Sequence, residues 1–192
     1  MTENVAETPA GPRPASPQRL QFVVLGVAVA AAALVVVWLI LGGNSRAQTP
    51  GLNSGPTVVS QAQLEQFAEK VDHPVYWAGP KAGFSYELTS ASGRVWVRYL
   101  PAGVKAGDPR ADLLVVGTYG QPHSFANLQR AAKRPDAVTR TIGTDGLVVF
   151  NSKKPTSVYF GYPDAKYQVE VYAASGQAAS GLVLTGAVKP IH

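Results

Sequence analysis

Residues 22–41 read FVVLGVAVAAAALVVVWLIL, twenty consecutive positions without a charged or strongly polar side chain. A helix of that length spans about 30 Å, the thickness of a bilayer's hydrocarbon core. Thirteen of the twenty are Leu, Ile, Val or Phe, and each favours insertion by roughly 0.3–0.6 kcal/mol. A core helix of a globular domain carries a polar stripe, and this run has none. It reads as a single transmembrane helix. Gly26 and Ala30, like Ala28 and Ala32, have small-xxx-small spacing, but an Ala-rich span produces that spacing by chance.

Arg13 and Arg19 precede the run, whereas Arg46 alone follows it closely and Lys70 is the next basic residue. The positive-inside bias then keeps the short N-terminus cytoplasmic and carries the C-terminal bulk across the plasma membrane. Ser45-Arg46-Ala47 resembles a signal-peptidase site, which would release everything after Ala47. The apolar run is longer than the roughly 7–15 residues of a signal-peptide core, so the expectation is an uncleaved signal-anchor.

The 192 residues suffice for one domain beside the anchor, and too few remain for two full cores. Residues 1–21 are rich in Pro, Ala and polar side chains and read as a disordered cytoplasmic tail. Residues 42–56 (GGNSRAQTPGLNSGP) read as a flexible linker, and residues 57–192 as one extracytoplasmic domain. The chain has no cysteine, which excludes thiol nucleophiles, thiolate zinc sites, Cys-ligated clusters and a sortase-like transpeptidase. It also lacks an Asn-x-Ser/Thr sequon, which fits a prokaryotic envelope better than a eukaryotic secretory route.

Within the domain, Ser60 and Gln63 form a capping box before Leu64, Phe67, Ala68 and Val71, predicting a helix over 61–71 that Pro74 ends. Phe84, Tyr86 and Leu88 alternate with Ser85, Glu87 and Thr89, and Val95, Val97 and Tyr99 with Arg94, Trp96 and Arg98. Joined through Ser90-Ala91-Ser92-Gly93 they read as a hairpin, with Leu88 expected opposite Val95. Further strands fit at 113–119, 147–150, 157–161 and 167–172. Helices fit at 125–134, with Ser124 as cap, and at 176–184. The order repeats as two βββα-like units. The expected class is α+β, a mainly antiparallel six- to seven-stranded sheet with packed helices behind one transmembrane helix. An α-β-α sandwich is the form this suggests.

The stretches HPVYWAGP, RVWVRYLPAGVKAGD and YQVEVY resemble segments of uncharacterised single-pass membrane proteins of high-GC Gram-positive bacteria. The resemblance covers about residues 57–190 and implies an envelope location, with no activity to carry over.

Chemistry is sparse. His73, His123 and His192 lack metal-ligand spacing; His73 reads as a helix-end residue near the last carbonyls. No Gly-x-Ser-x-Gly, Ser-x-x-Lys or phosphate-loop pattern occurs in the domain. Asp108, Asp112, Asp136, Asp145, Asp164 and Glu170 read as solvated carboxylates of turns and strand faces, although a glycosidase pair is defined only in space. No catalytic residue, cofactor or metal is expected.

The net charge of +5 resides outside the tail. Arg130, Lys133 and Arg134 gather on the second helix and Lys153 and Lys154 in a turn. Arg94, Trp96 and Arg98 line one side of the hairpin: an ion-paired outer face, a face covered by a helix, or a basic-aromatic ledge. The candidate binding surface is therefore Arg94, Trp96, Arg98, Arg130, Lys133 and Arg134. Partners that fit are an envelope protein, an anionic polymer or lipid headgroups; nucleic acid does not. The expected function is a membrane-anchored, non-catalytic binding or scaffold module of the cell envelope. The alternatives are an envelope hydrolase or transferase with a site formed only in three dimensions, and a carrier with an apolar pocket.

Overall fold

A computed structural model describes residues 50–191 as ten strands and three helices. The tail, the apolar run and most of the linker lie outside the described residues, as does His192. Among the described residues no helix is long and apolar enough to cross a membrane.

The class is α+β. The elements are β1 (Ser54–Val59), α1 (Gln61–Ala68), β2 (Tyr76–Trp77), β3 (Phe84–Ala91), β4 (Arg94–Pro101), β5 (Val115–Gly120) and α2 (Ser124–Ala132). They continue as β6 (Ala137–Ile142), β7 (Gly146–Asn151), β8 (Lys154–Gly161), β9 (Tyr167–Tyr172), α3 (Gly176–Leu184) and β10 (Lys189–Pro190). Eight strands form one antiparallel sheet in the order β1-β3-β4-β5-β9-β8-β7-β6, and β2 pairs with β10 separately. The two expected βββα successions are β3-β4-β5-α2 and β7-β8-β9-α3, and their last strands meet at the centre.

The main sheet therefore has eight strands rather than six or seven. The two additions, β1 and β6, are its edges. β1 contains Gly55 and Pro56 and begins at Ser54, so the fold starts inside the presumed linker. β6 (AVTRTI) sets Val138, Arg140 and Ile142 against Ala137, Thr139 and Thr141, and neither side is uniformly apolar. An edge strand needs no continuous apolar face, so periodicity passes over it.

One sheet face carries two cross-strand rows that are apolar except at Thr118. Leu88, Val97, Val116, Val171 and Val158 form one; Val95, Thr118, Val169, Phe160 and Val148 form the other. Leu64 and Phe67 of α1, Tyr76 and Trp77 of β2, and Ala179 and Val183 of α3 close over it as one cluster. Each such large side chain, once buried, contributes about 1.5–3 kcal/mol.

The opposite face is covered in part by α2, whose Leu128 would lie 3.6 Å from a Cβ placed at Gly161. The capping box of α1 is present, and Ser175 caps α3 by accepting from the Ala178 amide at 3.2 Å. Ser124, expected as the cap of α2, lies inside the helix and donates from Oγ to the Ala165 carbonyl at 2.7 Å. His123 occupies the cap position in a left-handed conformation.

Register departs from expectation in the β3–β4 hairpin. Leu88 faces Val97 and Tyr86 faces Tyr99, a slide of two residues. The turn is the two residues Ser92 and Gly93, with φ of 51° and 72°, the twist a tight hairpin favours. A slide of two keeps every side chain on its expected face but changes its neighbours.

Candidate functional site

The slide sets Glu87 directly opposite Arg98 and Thr89 opposite Trp96. The Glu87 side chain is fully buried and accepts from Arg98 Nη1 at 2.8 Å. Its second oxygen accepts from the Gly107 amide at 2.6 Å. Arg98 also donates from Nη2 to the Asp108 carbonyl at 2.7 Å. The loop between β4 and β5 is thus fastened over the ion pair. Arg98, with 8% of its surface exposed, takes no part in an exposed ledge. Of the hairpin trio, Arg94 is exposed and Trp96 half-buried.

Next to Trp96 a hydrogen-bonded row crosses the seam between the half-sheets. Trp96 Nε1 donates to Tyr119 Oη at 3.2 Å, and the rings meet edge to face at 5.9 Å. Tyr119 donates in turn to Glu170 Oε2. Tyr159 donates to Glu170 Oε1 at 2.8 Å. Burial, and then the Glu170 charge, push both phenols well above the ordinary tyrosine range. Gly117 makes the row feasible, because a Cβ there would stand 2.7 Å from Tyr119 Oη. Glu170 is therefore a buried network member, not the solvated strand-face carboxylate expected of it.

His73 bridges from its helix end to the hairpin instead of to the helix carbonyls. Its ring nitrogens lie 2.9 Å from the Gly93 carbonyl and 3.1 Å from that of Pro74. Among the described residues no group of three or more His, Asp or Glu side chains could hold a metal.

The helical trio fares differently from the hairpin trio. Arg130, Lys133 and Arg134 are all exposed at the end of α2. The β7–β8 turn is drawn beside them, because the Ser152 amide donates to the Asp136 carbonyl at 2.8 Å and Lys153 Nζ lies 3.1 Å from Asp136 Oδ1. Two basic runs separated in sequence thus share one corner.

A second feature had no sequence signal. An open-mouthed cavity of about 240 Å³ lies between the sheet and α3, lined by Ile142, Phe160, Tyr162, Val183, Leu184 and Val188 among others. Its walls come from two strands, the end of a helix and the loops beside them, so only the folded chain reveals it.

No protein family matches the chain, and no curated protein or solved structure is similar enough to match.

Proposed function

We propose that this chain is a single-pass, membrane-anchored module of the cell envelope, with its α+β domain outside the cytoplasm, that binds a partner without catalysing a reaction. The anchor rests on the apolar run and its arginine flank. The non-catalytic reading is carried by one observation: both oxygens of each buried carboxylate are engaged from within. Glu87 accepts from Arg98 and the Gly107 amide, and Glu170 from Tyr119 and Tyr159. A general acid or base needs a carboxyl oxygen free to reach a substrate proton, and these oxygens face their own fold.

The cysteine-free chain allows a clean test. Ser16→Cys and Ala102→Cys are expressed separately, and intact cells are treated with a membrane-impermeant maleimide. Labelling at residue 102, no labelling at residue 16 and an uncleaved chain are expected. Labelling at residue 16 alone, or a mature N-terminus at Gln48, refutes the anchored reading.

A carrier is a second reading, favoured by the cavity beneath α3. The space is open to solvent on one side, with Ile142, Phe160, Val183 and Val188 in its wall. Leu184→Trp at the rim should abolish uptake of a small apolar fluorophore if the cavity is a ligand site, and leave it unchanged otherwise.

A further inference from the structure

The described residues hold 14 Lys and Arg, the chain's 17 less Arg13, Arg19 and Arg46. They hold 10 Asp and Glu, the chain's 12 less Glu3 and Glu7, for a net charge of +4. Five of those cations, Arg130, Lys133, Arg134, Lys153 and Lys154, stand at the corner where α2 ends, and Asp136 is the one carboxylate beside them. That corner alone is +4. The remaining nine cations and nine carboxylates cancel, so the domain's entire charge imbalance lies at one place.

The corner is held in shape by the backbone. Asn151 Oδ1 accepts from the amides of Lys153 at 2.8 Å and Lys154 at 3.2 Å, fixing the turn that presents both lysines. Ala137 pairs with Asn151 across β6 and β7, which sets that turn beside Arg134. The C-terminal end of a helix dipole favours cations, so α2 tolerates the concentration. Folding does not require it, since four like charges left uncompensated repel one another.

We propose that this corner binds an extended, phosphate-bearing polymer in the envelope. The proposal rests on the anchored binding-module reading and names its ligand. Several cations spread along two elements match an anion repeated along a chain, and the arginine forks suit phosphate oxygens. A lipid surface fits less well. Durable attachment to a bilayer needs an apolar insertion beside the basic patch, and the exposed large apolar side chains Leu52, Val58 and Leu184 lie elsewhere. The chain also enters the fold at β1, the edge opposite β6, about 34 Å away at roughly 4.8 Å per strand.

The test uses the full chain in neutral detergent micelles, with inorganic polyphosphate, polyglutamate and vesicles of anionic phospholipid as probes. Polyphosphate should bind most tightly, with affinity falling as salt rises. Lys153→Ala/Lys154→Ala should weaken it about tenfold or more and flatten the salt dependence. Lys70→Ala/Lys166→Ala, which removes equal charge outside the corner, should weaken it no more than about twofold. Absence of polyphosphate binding, equal loss in the two variants, or tighter binding to polyglutamate or to vesicles would each overturn the proposal. Maleimide labelling of Ala102→Cys placed in the same variants keeps the two readings apart: unchanged topology with lost binding discards the ligand and leaves the anchor standing.

Discussion

Arg98→Leu is the perturbation whose cost follows most directly from the geometry. It strands the Glu87 carboxylate, with no side-chain exposure, on the Gly107 amide alone, and it leaves the Asp108 carbonyl without its donor. Removing one partner of a buried ion pair costs about 3–5 kcal/mol, a large part of the roughly 5–15 kcal/mol that holds a typical domain together. At about 3–5 °C per kcal/mol for a domain of this size, the midpoint should fall by about 10–20 °C. Glu87→Leu/Arg98→Leu removes both charges and orphans only the Gly107 amide and the half-exposed Asp108 carbonyl, a loss of about 1–3 kcal/mol. The double variant should therefore be the more stable of the two. Urea unfolding of the full chain in neutral micelles, followed by tryptophan fluorescence, measures both, and Glu87→Leu alone closes the thermodynamic cycle. A single variant within about 1 kcal/mol of the parent, or a double variant no more stable than the single, refutes the claim that this pair fastens the loop over the sheet.

Other outcomes follow from the same contacts. A polypeptide of residues 50–192 should fold cooperatively as a soluble monomer without added metal, since its core closes within itself; non-cooperative melting would contradict this. Gly93→Ala meets no neighbour closer than 3.9 Å, so it should cost only the left-handed backbone penalty, about 1–2 kcal/mol by thermal unfolding. Gly117→Ala drives a methyl into Tyr119 and should cost about 1–3 kcal/mol by thermal unfolding. Tyr76, Tyr99, Tyr119 and Tyr159 all titrate well above the ordinary range, chiefly through burial. Their contribution is intact below about pH 10, where the unfolded chain also keeps its phenols protonated. Above it each forfeits about 1.4 kcal/mol per pH unit, so tyrosinate absorbance should appear together with unfolding. Ionisation of these phenols in a still-folded domain would contradict their burial.

What the sequence discloses here is faces before neighbours. Alternation in β3 and β4 assigns each side chain to a face, and a slide of two residues leaves that assignment intact. Neighbours depend on the turn. Ser92 has φ of 51°, where Asn, Asp or Gly would advertise a two-residue hairpin, so a four-residue link is the natural reading and Arg98 lands beside the wrong partner. Its burial needs one more thing that carries no periodicity, the Pro- and Gly-rich loop that Gly107 and Asp108 pin over it. The basic corner is half readable for a similar reason. Arg130, Lys133 and Arg134 share a helix end and are visible as a group in one dimension. Lys153 and Lys154 join them only through the pairing of β6 with β7, and β6 is the strand whose two sides look alike. Edges escape pattern-reading because no core constrains both of their faces. Edges are also where a fold can carry uncompensated charge at little cost to packing. The least readable strand of this sheet and its most charged surface are thus neighbours for one physical reason.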